Sequence, residues 1–399
     1  MNLGMFKRSI ACLAGLASPF TPLASRCLAA PSGGVFVPAQ FVENHIYVSV
    51  KMAGIERPWI LDCGAGGSVI DQGLATELGL KRSGEAQAIG AAGSVKTAFV
   101  TVPAFSVGGV ESDSQPMVVL DVAGLLQRVT GTAAAGVLGY DFFSRFVTRV
   151  DFAGQTVTFY RPESFDYRGP GSTIPMHTWM NLPTVEMRVE DSLSGPWRLD
   201  IGAAVSVFHH NAVERSGLAQ RSGVERVATG MGGTQRHRLV QFANAELAGF
   251  KVDRPLISVP LEAGPGALAA ANVVGTLGNS ILHNFVLYLD YNGGRLIVEK
   301  GAGFGKPYVP DRSGLQVMQG DSGRFEVTCA ATGTPAEKAG FRAGDVVTAI
   351  DGRGPEEIGG LLALRRMLRA DAGKTYEFKV ARQDTTLRLK LTLEDLFPD

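Results

Sequence analysis

Two short stretches of this chain share one pattern. LDCGAGGSV begins at Leu61 and LDIGAAVSV at Leu199, so an aspartate is followed each time by x-Gly-Ala. The run Trp59-Ile60-Leu61 delivers Asp62 into a glycine-rich turn, and Trp197 stands the same three residues before Asp200. The landmarks that follow keep register. Gly79 and Gly217 each lie 17 residues after their aspartate. Gly139 and Gly278 lie 77 and 78 after it, and Asp151 and Asp290 lie 89 and 90 after it. Four landmarks held to within one residue mark an internal duplication of ~125 residues. Two copies packed about a pseudo-two-fold axis bring Asp62 and Asp200 face to face. Two carboxyls in contact cannot both ionise readily, so they share a proton.

The rest of the chain reads as strands and tight turns. There are 50 glycines in 399 residues, well above the usual ~7%. His45–Lys51 alternates as a half-buried strand should. Hairpins are expected around Gly90–Gly93 and Gly230–Gly233, and closing strand pairs at Val147–Phe152 with Thr156–Tyr160 and at Phe285–Tyr291. Asp71 and Asn211 are read as caps of short helices that end at Gly79 and Gly217. The two copies run from about 36 to 160 and from about 173 to 300. Residues 31–40 read as a loose linker, and 301–312 as a second one.

Composition excludes some classes of function. Lys+Arg and Asp+Glu both number 38, so charge gives no reason to expect nucleic acid or an anionic membrane as partner. Cys12 and Cys27 lie near the N-terminus and Cys63 and Cys329 stand far apart, so neither a disulfide framework nor metal-ligand spacing is present. No cofactor motif is found. Residues 1–30 resemble a secretory signal peptide: Lys7-Arg8, an apolar stretch from Ile10 to Leu16, and Cys27-Leu28-Ala29 as cleavage region. This implies export, periplasmic or secreted, with an uncleaved N-terminal anchor as the alternative. No segment after the leader is apolar enough to span a membrane.

Asp-x-Gly-Ala, followed about 77 residues later by an apolar pair and Gly, resembles the aspartic protease family. The lobes look retropepsin-like, fused in one chain as in pepsin-like enzymes of a bacterial exported type. The resemblance implies an all-β, bilobal protease with Asp62 and Asp200 as the catalytic pair. Cys63, Gly64 and Ala65 would form one active-site loop, and Ile201, Gly202 and Ala203 the other. Gly90 and Gly93, and Gly230 and Gly233, would belong to flaps. Val137-Leu138-Gly139 and Thr276-Leu277-Gly278 would brace the loops. Where the family has Thr or Ser after the aspartate, this chain has Cys63 and Ile201. A thiol is a weak donor and Ile has none, which predicts a dyad held less firmly, or packed together by apolar contact.

Residues 313–399 carry TPAEKAGFRAGDVVTAIDG from Thr334, similar to the signature of PDZ domains, a small α+β fold. Thr334 is expected to cap a helical turn. The resemblance implies a peptide groove between the strand that follows Ser313-Gly314-Leu315 and the helix around Leu361–Leu368. A peptide or protein C-terminus would add there as a strand, its carboxylate held by backbone N–H groups of that loop.

Other candidates have plainer readings. His209-His210 are structural or solvated, and His177, His237 and His283 share no spacing. Cys63 is a buried packing thiol, Asp151 and Asp290 are structural, and Arg365-Arg366 form the solvated face of the last helix. The expected function is hydrolysis of polypeptides by an aspartic endopeptidase. A catalytically inactive, peptide-binding relative is the alternative, and a PDZ-driven scaffold a third reading.

Overall fold

The computed structural model describes residues 33–398 apart from 307, 321 and 322. The signal-peptide expectation, residues 1–30, falls outside them. The described residues are mostly β, in three sheets. No helix among them is long and apolar enough to cross a membrane.

The duplication is visible in the largest sheet. Six strands run in the order Ser172–Pro175, Arg295–Lys300, Phe285–Asp290, Val147–Asp151, Thr156–Tyr160, Val35–Val42. The middle pair is antiparallel across the lobe boundary, with Val147 opposite Asp290 and Asp151 opposite Val286. Alternate residues of these strands face opposite sides. Val150, Val157, Leu287 and Val298 enter the main core, while Val147, Tyr160, Tyr288 and Ile297 form a smaller cluster on the other face. The strand pair that ties the lobes is therefore buried on both faces.

Within each lobe the strand leading to the aspartate packs a Trp against a glycine. Trp59 and Trp197 are fully buried. A Cβ on Gly136 would lie 2.4 Å from the Trp59 ring, and one on Gly275 2.4 Å from the Trp197 ring. The glycines let the bracing strands Gly136–Leu138 and Gly275–Leu277 approach the Asp-bearing strands Ile55–Leu61 and Leu193–Leu199 in parallel.

Three local expectations need correction. Residues 31–40 were read as linker, yet Val35–Val42 is a strand. Its first half pairs with Thr156–Phe159 and its second half with His45–Val48. Pro38, which suggests a break in the sequence, sits at the changeover, where a missing N–H is tolerated. Asn211 does not cap its helix. The helix is His210–Ser216 with His209 at the cap position, and Asn211 Nδ2 donates to Ala271 O instead. Thr334 precedes the turn Pro335–Lys338 but makes no side-chain cap, because its hydroxyl donates backwards to Ala331 O.

The PDZ region forms its own five-stranded sheet, from Leu315–Gln319 through Thr385–Thr392. The helix Gly360–Leu368 buries Leu361, Leu364 and Leu368 against Val317, Phe325 and Phe378. Asp290 and Asp151 are structural: each pairs with an arginine, Arg295 at 2.7 Å and Arg149 at 2.9 Å, and accepts from a turn N–H.

Gly275→Ala is expected to cost about 1–3 kcal/mol by overpacking, because its Cβ would meet both the Trp197 ring and Val207 O at 2.5 Å. Thermal melts should show a lowered transition for Gly275→Ala, while Gly303→Ala, with no atom closer than 4.0 Å, leaves it unchanged.

Candidate active site

Each aspartate is set by the same backbone frame. Asp62 N donates to Leu138 O at 3.0 Å and Asp200 N to Leu277 O at 3.0 Å. Ala65 O accepts from Tyr140 N at 2.9 Å, and Ala203 O from Asn279 N at 2.8 Å. Gly139 N donates to Ser68 Oγ and Gly278 N to Ser206 Oγ, both at 3.0 Å. The apolar-Gly segments thus hold both loops by hydrogen bonds.

The structure brings the two carboxyls together. Asp62 Oδ1 accepts from Gly64 N at 2.8 Å, and Asp200 Oδ1 from Gly202 N at 2.8 Å and Ala203 N at 2.9 Å. Each carboxyl also lies against the opposite loop. A Cβ on Gly64 would fall 2.4 Å from the Asp200 carboxyl carbon, and one on Gly202 2.3 Å from that of Asp62. Only glycine fits at either place.

Burial, then the charge of Asp200, then the hydrogen bond between the two carboxyls hold Asp62 well above the usual carboxylate range. Burial also raises Asp200, but its hydrogen bond with Asp62, the Gly202 and Ala203 N–H groups and the charge of Arg198 oppose the rise. Arg198 is buried and stands where the first lobe has Ile60. Both carboxyls are thus raised, and the groups that favour ionisation, Arg198 among them, act on Asp200.

Cys63 changes the expectation of a loosely held dyad. Its thiol donates to Leu199 O at 3.3 Å, and its sulfur accepts from Ile201 N at 3.4 Å. Both bonds cross from the first loop to the second. Burial, followed by the charge of Asp200, pushes the thiol well above its usual range, so it stays protonated and able to donate. Ile201 is fully buried in the shared core.

Sequence reasoning missed three asparagines. Asn44 Nδ2 donates to Ala204 O and Asn181 Nδ2 to Gly66 O, both at 3.0 Å. Each sits in a hairpin turn with positive φ, 63° and 66°, and each reaches over to the other lobe's loop. They precede the aspartates by 18 and 19 residues, so extending the register comparison upstream finds them. Asn279 Nδ2 donates to Ile201 O at 2.7 Å and to Asn44 O at 2.6 Å, joining both arrangements.

The segments expected to act as flaps are hairpins, Ser83–Gly90 with Gly93–Val102 and Val224–Gly230 with Gly233–Gln241. Their tips meet. A Cβ on Gly90 would lie 2.2 Å from Met231 O, and one on Gly93 2.9 Å from Gly232 O. Gly230 is near Ala91, at 3.7 Å, while Gly233 faces open space at φ +130°.

The PDZ loop residues are placed at the head of Leu315–Gln319, but their donors are taken. Ser313 N and Gly314 N donate to Asp311 Oδ1 at 2.9 and 2.7 Å, and Leu315 N donates to Ser313 Oγ at 2.9 Å. The histidines stay apart from the dyad. His209 is fully buried between Ala270 O and Thr276 Oγ1 and is pushed down to about 4 by burial, so it is neutral. Arg365 is not solvated as expected. It is largely buried and bonded to Glu43 and Val129 of the first lobe, whereas Arg366 is exposed.

Residues 48–142 match the aspartyl protease family model, and residues 326–382 match the PDZ domain model. Among solved structures, the aspartic proteinase from Irpex lacteus is similar, at 12% identity and a TM-score of 0.44, covering 69% of this chain and 99% of that one. No curated protein matches the sequence. The two family matches place an aspartyl-protease domain ahead of a C-terminal PDZ domain in one chain.

A carboxyl whose pKa is raised on folding stabilises the fold fully only below its unfolded value, and that stability is lost as pH rises through the folded value. Asp62→Asn mimics the protonated form. It is expected to raise the melting temperature at pH 7 relative to the unsubstituted chain, and the gain should vanish below about pH 4, the ordinary carboxyl range. Paired thermal melts across that range check the sign.

Proposed function

We propose that this chain is an aspartic endopeptidase that hydrolyses polypeptides between its two lobes. The observation that carries the reading is the packing of each carboxyl against the opposite loop's glycine, with burial and the neighbouring Asp200 carboxyl together raising Asp62. In this reading Asp200, ionised, takes a proton from a water molecule as the water oxygen attacks the peptide carbonyl carbon. Asp62, protonated, hydrogen-bonds the carbonyl oxygen and delivers its proton to it. The tetrahedral intermediate then collapses. The C–N bond breaks as the leaving nitrogen takes the proton that Asp200 gained from water, a hydroxyl of the intermediate returns its proton to Asp62 to leave the carboxylic acid product, and no covalent enzyme intermediate forms. An extended substrate would lie beneath the flaps, which exclude water when closed.

On sequence alone, the departures at Cys63 and Ile201 are the features that favour a non-catalytic binding protein. They weigh less because the sulfur of Cys63 makes both cross-lobe bonds. We also propose that the protein acts outside the cytoplasm, on the strength of residues 1–30, and that peptide C-termini reach the PDZ groove only where its internal contacts give way.

The test is cleavage of a mixed peptide library across roughly pH 3 to 8, the span over which paired carboxylates are tuned. The unsubstituted chain is expected to cleave, and Asp62→Asn and Asp200→Asn to lose at least ~10³-fold of that rate. Peptides bound but left uncut would favour the binding protein, and cleavage surviving both substitutions would remove the dyad assignment.

A further inference from the structure

The PDZ domain touches both protease lobes with the surfaces a ligand would otherwise use. On the first lobe, the helix Val122–Thr130 lies against the groove strand Leu315–Gln319. Arg365, from the groove helix, spans the groove. Its Nη2 donates to Val317 O at 3.2 Å and to Val129 O at 2.7 Å, and its Nη1 pairs with Glu43 at 3.2 Å. Arg369 pairs with the same carboxylate at 3.2 Å. Gly131, which ends the docked helix, approaches Leu361 so closely that a Cβ would sit 3.3 Å from that side chain. With the loop N–H groups bonded to Asp311 and Ser313, the groove is filled from within the chain.

On the second lobe, the PDZ domain holds a flap. Gln316 Nε2 donates to Val227 O at 2.8 Å, and Val227 N donates to Gln316 Oε1 at 2.7 Å. Val227 lies in the outer strand of the second flap, opposite Arg236 of the inner strand. One side-chain amide thus satisfies both backbone groups of a residue at the end of its sheet. Cys329, the cross-strand neighbour of Gln316, places its sulfur 4.0 Å from Glu225 O on the same flap strand. Because the flap tips meet, a hold on the second flap also restrains the first.

We infer that the PDZ domain is an intramolecular latch: Gln316 holds the second flap closed, and the docking of Val122–Thr130 and Glu43 into and beside the groove keeps the latch seated. Glu43 adjoins Asn44, whose side chain holds the second active-site loop at Ala204, so the seat is continuous with the dyad's frame. The consequence for turnover rests on the peptidase reading, whereas the physical latch does not.

Hydrogen exchange on the full chain, alongside peptide cleavage, tests this. In Gln316→Ala, amides of 224–230 are expected to exchange ~10-fold faster or more, as loss of two hydrogen bonds implies. The interlobe strands 285–300 should keep their protection, which shows that the fold is intact. Gln316→Glu, similar in size but with a carboxylate facing Val227 O, should do the same. Cleavage should rise several-fold in both. Unchanged exchange at 224–230 in both variants would overturn the latch. In a chain that does cleave peptides, faster exchange with unchanged or reduced cleavage would also overturn it, by making the contact merely structural. A chain that cleaves nothing yet loosens its flap in both variants would keep the latch and remove the peptidase reading.

Discussion

Two acidic side chains pressed together at a lobe boundary repel one another, and burial makes the repulsion stronger. Asp62 and Asp200 stay in contact because the backbone around them cannot spread. Each loop is hydrogen-bonded to a bracing strand in its own lobe, at Leu138 and Leu277. The lobes are in turn locked by the antiparallel pair Val147–Asp151 and Phe285–Asp290, buried on both faces. One retained proton relieves the repulsion.

The duplication supplied a symmetric frame, and function sits where the symmetry breaks. Where the first lobe has Ile60 the second has Arg198, whose charge opposes the rise that burial gives Asp200. Cys63 makes two hydrogen bonds across the boundary, while Ile201 contributes only packing. Glu43, in the first lobe's hairpin, anchors two PDZ arginines, while its counterpart Met180 is 71% exposed beside Trp179 at 56%. One flap is tied to the PDZ domain and its twin is not tied by the same amide.

Much of this was legible in the sequence, because register is a local property carried along the chain. The Asp and Leu-Gly positions could be placed by spacing, and the two glycine-rich hairpin turns by the strand-like runs that flank them. What escaped was set by contacts distant in sequence. Arg365 reads as a helix-surface residue until Glu43, 322 positions away, is seen beside it. Val35–Val42 reads as a linker because its partners straddle a proline and come from both ends of the first lobe. The PDZ loop reads as open because Asp311, just upstream, is an unremarkable acidic residue until its carboxylate folds back onto the loop. Asn211 and Thr334 have the right chemistry for caps, but tertiary acceptors claimed them first.

The central claim is that Asp62 and Asp200 bind one proton as a pair. Carbon-13 labelling of aspartate carboxyls and an NMR titration measure it directly, with the two signals assigned by loss in Asp62→Asn and Asp200→Asn. The account expects the dyad to titrate in two well-separated steps, the upper one well above the ordinary ~3.9. It also expects the aspartate left in each variant to titrate in a single step. Two independent titrations near the ordinary value, unchanged when the partner is replaced, would contradict it.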